Sequence, residues 1–132
     1  MSKGKKKILL IDDNQDSLDM LELFLYKHYD VTAATSGFSG LDLARSINPD
    51  CIFTDINMPG VDGIKLFNTL RNEGFNIPLI AITSFSSMKN RKSLRNIGFE
   101  EVITKPFAYE SLIHTLSRIV DDHPTAQSEL KK

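Results

Sequence analysis

Short apolar segments alternate along the chain with longer segments in which apolar residues recur every three or four positions. Four of the short segments are apolar throughout, a fifth is mixed, and each is short enough for a β-strand. They are Ile8 to Ile11, Tyr29 to Ala34, Cys51 to Phe53, Leu79 to Ile82, and Val102 to Ile103. Helical spacing occurs at Leu18, Leu21 and Leu25, at Leu41, Ala44 and Ile47, at Ile64, Phe67 and Leu70, in the more polar segment Met88 to Ile97, and from Leu112 to Val120. The pattern predicts five strands alternating with five helices.

Strands that are apolar at every position must be covered on both faces, which is typical of parallel sheets. Alternating strands and helices supply that cover through right-handed crossovers. We therefore expect an α/β fold with a doubly wound, five-stranded parallel sheet. Boundary residues agree, because Pro49 and Gly98 follow helical segments, and Ser86 with Ser87 offers an N-cap before Met88.

Length and composition indicate one ordinary domain. A chain of 132 residues can bury a single core, and its 41% hydrophobic and 25% charged residues are typical of globular proteins. We expect a flexible N-terminus at residues 1–5 and one domain at residues 6–121. The tail at residues 122–132 has few apolar residues, and we expect it to be disordered.

Charge, cysteine content and the N-terminal region favour a cytoplasmic protein. The net charge of −1 gives no overall attraction to nucleic acid or to an acidic membrane surface. The N-terminal lysines precede only four apolar residues, fewer than the roughly 7–15 of a signal peptide. The single cysteine, Cys51, lies in an apolar segment and is expected to be a small buried residue. We expect neither a membrane nor a direct nucleic-acid partner.

Polar residues follow four of the predicted strands. They are Asp12 and Asp13, then Asp55, then Thr83 and Ser84, and finally Thr104, Lys105 and Pro106. Ligands of an open parallel sheet bind outside the carboxyl ends of its strands. These residues should therefore converge on one edge of the sheet.

Three carboxylates at one edge repel each other, so they are expected either to have raised pKa values or to bind a hard cation. Mg²⁺ suits them, because it prefers oxygen ligands and retains several waters. Zinc would require histidine or cysteine ligands, which are absent at these strand ends. We expect His28, His114 and His123 to be surface or structural residues instead.

A lysine and a hydroxyl beside a magnesium site would complete a site for a phosphoryl group. Lys105 would neutralise phosphoryl charge, and the Thr83 hydroxyl would donate a hydrogen bond to a phosphoryl oxygen. Asp55 is the central acid and the candidate nucleophile, and its attack on phosphorus would give an acyl phosphate.

The segments ILLIDDN, FTDINMPGVDG, AITS and TKPF, in this order, resemble the receiver domain of response regulators in two-component phosphorelay signalling. The resemblance extends from about Lys6 to Val120. It implies a CheY-like, flavodoxin-like fold with strand order 2-1-3-4-5. It also implies that a sensor histidine kinase or a histidine phosphotransfer protein donates a phosphoryl group, and that the product switches binding to a downstream protein.

The resemblance assigns roles to individual residues. Asp55 matches the phosphoacceptor, and Thr83 with Lys105 matches the residues that bind phosphoryl oxygens. Asp13 and Asp55 match direct Mg²⁺ ligands. The remaining implied contacts to the ion come from the Asn57 backbone carbonyl and, through water, from Asp12. The Lys105-Pro106 peptide bond matches one that is usually cis in the family, and Gly63 suits the start of the third helix.

Two positions depart from the family pattern or vary within it. Receivers usually carry tyrosine or phenylalanine where this chain has Val102, so an aromatic switch is not expected there. Phe85 occupies a position that tunes water access to the acyl phosphate, and its bulk leads to the hypothesis of a slowly decaying phosphorylated form. Replacing Phe85 with alanine or glutamate should then speed the loss of phosphate, and an unchanged rate would argue against the hypothesis. Packing in the core is an equally good interpretation of Phe85.

The predicted fourth helix carries four basic residues, Lys89, Arg91, Lys92 and Arg95. They form either a solvated face or a basic docking surface for an acidic partner. A docking surface would bind more weakly as salt increases, and Lys92→Glu would weaken it further.

Three other functions remain as alternatives to a phosphoacceptor switch without enzymatic turnover of external substrates. A phosphohydrolase of the haloacid dehalogenase type normally needs an acid two residues after the nucleophile, where this chain has Asn57. A nucleotide- or flavin-binding module would need a glycine-rich first loop, but the segment here is the acidic DDNQDS. The third alternative is a receiver-like interaction module that is never phosphorylated. The sequence also fits a fragment of a larger regulator or hybrid kinase.

Overall fold

The computed structural model describes residues 4–84 and 88–121, with the backbone alone at residues 88–90 and 121. The predictions for Phe85, for the cap at Ser86 and Ser87, for His123 and for the tail at residues 122–132 lie outside the described residues. So does the greater part of the predicted flexible segment at residues 1–5.

Within the described residues, five parallel strands alternate with five helices, as predicted. The strands are β1 (Lys7–Ile11), β2 (Asp30–Ala34), β3 (Cys51–Asp55), β4 (Leu79–Thr83) and β5 (Glu101–Thr104). The helices are α1 (Gln15–Leu25), α2 (Gly37–Ile47), α3 (Gly63–Asn72), α4 (Met88–Ile97) and α5 (Tyr109–Leu116), and a π-helical turn (Ser117–Asp121) follows α5. The strand order is β2-β1-β3-β4-β5, which confirms the doubly wound topology. None of the helices in the described ranges has both the length and the apolar character needed to cross a membrane.

The sheet separates two hydrophobic clusters, because side chains of each strand point alternately to its two faces. One cluster contains Leu9 and Ile52 and packs against α2 and α3; the other contains Leu10 and Phe53 and packs against α1 and α5. All residues of β3 and β4 are buried, whereas β2 at the sheet edge is partly exposed. Burial on both faces explains why the central strands have no polar alternation.

The helices begin close to the carboxyl ends of the strands, and side-chain caps fix three of these starts. Asn14, Ser36 and Asp62 each accept a hydrogen bond from a backbone N–H three residues later. The helix ends also follow the sequence pattern, because α4 stops one residue before Gly98 and α2 stops two residues before Pro49.

The first strand begins one residue before the apolar segment that predicts it. The Lys7 side chain is exposed, but its backbone N–H donates to Asp50 Oδ2 over 2.8 Å, and Lys7 pairs with Asp30 of β2. Backbone pairing of an exposed residue leaves no mark in the hydrophobic pattern, which accounts for the difference.

Candidate functional site

The register of the sheet brings the predicted strand ends to one edge. Ile11 pairs with Thr54, Asp55 with Ile82, and Thr83 with Thr104. The residues just beyond these pairs therefore lie side by side. At this edge Asp12 and Asp55 are only 1% and 8% exposed, which is uncommon for acids, and Thr83 is 1% exposed.

Three carboxylates form a cluster at this edge. One oxygen each of Asp12, Asp13 and Asp55 lies within 4.8 Å of the other two. Asp12 and Asp55 are buried and Asp13 is exposed, so the cluster opens to solvent on the side of Asp13. The structure thus brings together all three acids that the sequence selected.

Lys105 forms ion pairs with both buried acids. Its ammonium nitrogen lies 2.9 Å from Asp12 Oδ2 and donates a hydrogen bond to Asp55 Oδ2 over 3.1 Å. The Lys105 backbone N–H donates to the Thr83 carbonyl over 2.8 Å, so the ends of β4 and β5 are tied together. The Lys105-Pro106 peptide bond is cis, as the resemblance predicts.

The pKa values of Asp55 and Lys105 both lie above the ordinary values for their side chains. Burial is the largest cause of the raised pKa of Asp55, and the charge of Asp12 adds to it. Hydrogen bonds from the Asn57 N–H and from Lys105 oppose that rise only in part. Burial alone would lower the pKa of Lys105, but the Asp12 and Asp55 carboxylates outweigh burial and raise it. The lysine is therefore held in its charged form between two acids.

Short backbone contacts orient the two buried carboxylates. Asp12 Oδ1 accepts from the Asn14 N–H over 2.9 Å, and Asp55 Oδ1 accepts from the Asn57 N–H over 3.0 Å. Each acid thus directs one oxygen to its own loop and the other to Lys105. The Asn57 side chain is exposed, and the role of its carbonyl as a metal ligand stays a prediction.

Gly63 allows the chain after β3 to turn tightly into α3. Its N–H donates to the Ile56 carbonyl over 3.1 Å. A Cβ atom at this position would lie 2.6 Å from the Asp55 carbonyl oxygen and 2.9 Å from Ile56 Cα. The sequence identified this glycine correctly, and the physical reason is a close approach of two backbone segments.

The residues of the cluster fit a magnesium ion. The donors are carboxylate oxygens, which are the ligands that Mg²⁺ prefers, and they open to solvent that can supply the remaining water ligands. Asp12 Oδ2 is buried and, apart from its ion pair with Lys105, has no hydrogen-bond partner among the described residues. A buried oxygen with unused acceptor capacity suits a cation site.

The other predicted positions lie outside this cluster. Val102 is 2% exposed and packs in the same hydrophobic cluster as Leu94. In α4, Arg91 donates to the Val102 carbonyl over 3.4 Å and Arg95 pairs with Glu101, whereas Lys92 is exposed. Two of the four predicted basic residues thus have partners within the chain, and the docking surface stays a prediction.

The histidines were predicted not to serve as ligands. The structure places His28 in the turn that follows α1 and His114 in α5, and both side chains are exposed. Neither belongs to the acidic cluster of Asp12, Asp13 and Asp55.

An apolar cleft beside the acidic cluster was missed by the sequence reasoning. It has a volume of about 340 Å³ and is lined by Asp16, Ser17, Met20, Lys105, Pro106 and Phe107. Phe24 packs edge-on against Phe107 and Tyr109, with ring centroids 6.3 and 5.4 Å apart. The sequence does contain a signal for this surface. Besides its core-facing leucines, α1 carries further apolar residues at helical spacing, Met20, Leu23 and Phe24.

Comparisons with known proteins agree with this geometry. The model of the response regulator receiver domain matches residues 8–117. The polar-differentiation response regulator DivK of Brucella ovis is 31% identical over 120 residues, covering 89% of this chain and 98% of DivK.

Solved structures show the same similarity. The Francisella response regulator 1452 receiver domain is 30% identical with a TM-score of 0.83, over 89% of this chain and 98% of that domain. A receiver domain of the sensor histidine kinase PA1611 from Pseudomonas aeruginosa PAO1, with a magnesium ion coordinated in its active-site cleft, is 26% identical with a TM-score of 0.81, over 89% of this chain and 99% of that one. The chain therefore belongs to the family of response regulator receiver domains.

Proposed function

We propose that this chain is a phosphoacceptor switch in which Asp55 takes a phosphoryl group from the phosphohistidine of a sensor histidine kinase or a histidine phosphotransfer protein. The observation that carries the proposal is the pairing of Lys105 with two buried acids at the carboxyl edge of the sheet. A cation held there by acids is suited to receive a group with further negative charge. Membership in the receiver family supports the same chemistry.

The transfer conserves atoms and charge. A carboxylate oxygen of Asp55 forms a bond to phosphorus, and the bond between phosphorus and the donor's imidazole nitrogen breaks. The electron pair of that bond stays on the imidazole, and Asp55 becomes an acyl phosphate. The Lys105 ammonium lies 3.1 Å from Asp55 Oδ2, within reach of the oxygens of the arriving phosphoryl group. Thr83, which ends the adjacent strand, would donate its hydroxyl hydrogen bond to another of them.

Asp12, Asp13, Asp55 and the Asn57 carbonyl would hold Mg²⁺. The ion, when bound, would neutralise charge on the phosphoryl oxygens during the transfer. The magnesium ion in the PA1611 receiver domain supports this assignment by similarity. Among the chain's own groups, Asp12 and Asp13 set the negative potential that attracts the cation, and the Asn57 N–H fixes the orientation of the Asp55 carboxylate over 3.0 Å.

The chain is proposed to hold its phosphoryl group rather than turn over external phosphate esters. Asn57 stands two residues after Asp55 and its amide cannot protonate a leaving alkoxide. The Asn57 amide also cannot act as a base that activates water, so loss of phosphate would be a slow self-catalysed hydrolysis. Phosphorylation of Asp55 adds charge and acceptor oxygens, which would draw Thr83 and Lys105 toward the phosphoryl group. This movement would change the populations of two conformations of the protein surface.

The apolar cleft beside Lys105 is the place where the phosphoryl donor is proposed to dock. Met20 is 47% exposed at the wall of this cleft and Lys105 belongs both to the cleft and to the acceptor site. A donor helix with apolar residues on the face that carries its histidine could fill the cleft and present phosphorus to Asp55. Met20→Glu should then slow transfer from a donor protein and leave labelling by the small donor acetyl phosphate unchanged, whereas equal effects on both would contradict this docking site.

The decisive experiment is labelling with acetyl phosphate and magnesium, followed by intact mass spectrometry. Wild-type protein should gain the mass of one phosphoryl group, and Asp55→Asn should gain none. Asp50→Asn is a matched control, because Asp50 precedes the same strand and lies at its other end, where it accepts from the Lys7 N–H. Labelling that persists in Asp55→Asn would overturn the assignment. Rapid hydrolysis of a panel of phosphomonoesters would instead favour the haloacid dehalogenase alternative.

A further inference from the structure

The loop at residues 56–62 joins β3 to α3 and lies next to the acceptor site. It begins directly after Asp55, contains Asn57, and ends at Asp62, the N-cap of α3. The position of Asn57 relative to Asp55 therefore depends on what holds this loop. Gly63 anchors its carboxyl end through the 3.1 Å hydrogen bond to Ile56.

A second support comes from the first residue of α2. Gly37 is buried and packs directly against Val61 of the loop. A Cβ atom added at Gly37 would lie 2.1 Å from the Val61 carbonyl oxygen and 2.6 Å from Val61 Cβ. These distances are far shorter than van der Waals contact, so any side chain at position 37 must displace the backbone of the loop.

Phe38, the next residue of α2, covers the loop from outside. Its ring lies against Gly60, since a Cβ atom added at Gly60 would be 3.7 Å from Phe38 Cε2. Phe38 is 69% exposed, so burial in the core does not explain its position. Gly60 has a φ of +77°, a conformation that glycine adopts without strain and that makes this part of the loop a tight turn.

We propose that Gly37 and Phe38 are positioning residues for the metal-binding loop. They contact it at Val61 and Gly60, and thereby fix the distance between the Asn57 carbonyl and the Asp55 carboxylate. The inference rests on the proposed function, because it assumes that these two groups bind Mg²⁺. It adds that the start of α2, which contributes none of the proposed ligands, sets the affinity of the site.

The test compares two glycines of the same helix. Gly37→Ala places a methyl group against loop backbone, whereas Gly40→Ala places one 2.6 Å from Ile11 Cδ1 and 2.9 Å from Ile11 Cγ1, which belong to a core side chain and not to the loop. Both substitutions should lower thermal stability in EDTA. Gly37→Ala should also weaken Mg²⁺ binding, measured by calorimetry, by about 10-fold, as loss of a supporting contact does in other metal sites. Gly40→Ala should bind Mg²⁺ with the wild-type dissociation constant.

A second readout reports loop position without any metal. The Asn57 N–H donates to Asp55 Oδ1, so its amide resonance in NMR spectra senses the loop. In metal-free protein, Gly37→Ala should shift the Asn57 and Gly60 amide signals more than Gly40→Ala does. Equal shifts in the two variants together with equal Mg²⁺ affinities would overturn the proposal.

Phe38→Ala keeps the proposal testable if Gly37→Ala does not fold. The control is Leu23→Ala, which removes an apolar side chain of similar exposure, 68%, from α1. Phe38→Ala should weaken Mg²⁺ binding by about 3-fold and Leu23→Ala should leave it unchanged. Unchanged affinity in Phe38→Ala contradicts the role of Phe38. Wild-type protein that fails to bind Mg²⁺ at all would instead contradict the proposed function on which the inference rests.

Discussion

Replacing Asp13 with asparagine is expected to stabilise the metal-free protein, although it removes a proposed magnesium ligand. Asp13 has two acidic neighbours, each with an oxygen within 4.8 Å of its own. Two unit charges at that separation repel by about 0.9 kcal/mol at the dielectric constant of water, which applies because Asp13 is exposed. Lys105 attracts Asp13 and offsets part of the two repulsions, so the net gain should be about 1 kcal/mol.

Thermal unfolding in EDTA and in magnesium measures this effect. In EDTA, Asp13→Asn should melt about 4 °C higher than wild type for a domain of this size. In magnesium the order should reverse. Wild type would gain about 2.7 kcal/mol at a free ion concentration one hundred times its dissociation constant, and the variant would gain far less. If the variant is more stable than wild type in EDTA and less stable in magnesium, Asp13 is a metal ligand. If the variant is more stable in both, Asp13 only repels its acidic neighbours.

Asp42→Asn is the matched control for the loss of one surface carboxylate. The Asp42 side chain is 81% exposed and forms a weak ion pair with Arg45 at 3.5 Å, away from the acidic cluster. Its removal should change the free energy of unfolding by less than about 0.5 kcal/mol and leave the response to magnesium intact. If Asp13→Asn were no more stable than wild type in EDTA, the repulsion worked out from the cluster geometry would be refuted.

Three further outcomes are expected elsewhere in the fold. Leu10→Ala, in the fully buried centre of β1, should lower the free energy of unfolding in urea by about 2–5 kcal/mol, and a loss below about 1 kcal/mol would contradict tight packing there. Burial raises the pKa of the Cys51 thiol, so a thiol-reactive dye should label unfolded protein quickly and native protein hardly at all at mildly alkaline pH. The Arg45 hydrogen bond lowers the pKa of Glu73, so its stabilisation is present at neutral pH and is lost as pH falls through the titration range of the carboxyl. Glu73→Gln should accordingly be less stable than wild type at neutral pH and equally stable in acid, and a difference independent of pH would exclude the ion pair as its cause.

Much of the candidate site follows from strand ends that can be recognised in the sequence. Asp55 comes at the end of an apolar segment, and Thr83 and Lys105 come at the ends of the next two. Parallel strands joined by crossovers all place their carboxyl ends at the same edge, so residues far apart in the chain must converge there. That geometry requires no knowledge of individual contacts.

The environments of neighbouring residues were less predictable. Asp12 and Asp13 are adjacent acids, yet Asp12 is buried beside Lys105 and Asp13 is exposed. Successive side chains point in different directions at a strand end, and which direction is buried depends on the loops packed around it. The sequence predicts both acids as metal ligands, and that role stays a prediction. It did not indicate which of the two would pair with Lys105.

What the sequence determined by itself is the order of elements, the parallel sheet and the set of residues at its carboxyl edge, because hydrophobic periodicity and crossover topology fix all three. What the tertiary structure decided is how those residues are held: the Lys105 ammonium between two buried acids, and Gly37 against the Val61 backbone. Both contacts join segments distant in sequence, and both depend on differences of about an ångström in helix and loop packing. The hydrophobic periodicity of the sequence does not determine distances this precisely, whereas the close packing of side chains in the folded chain does.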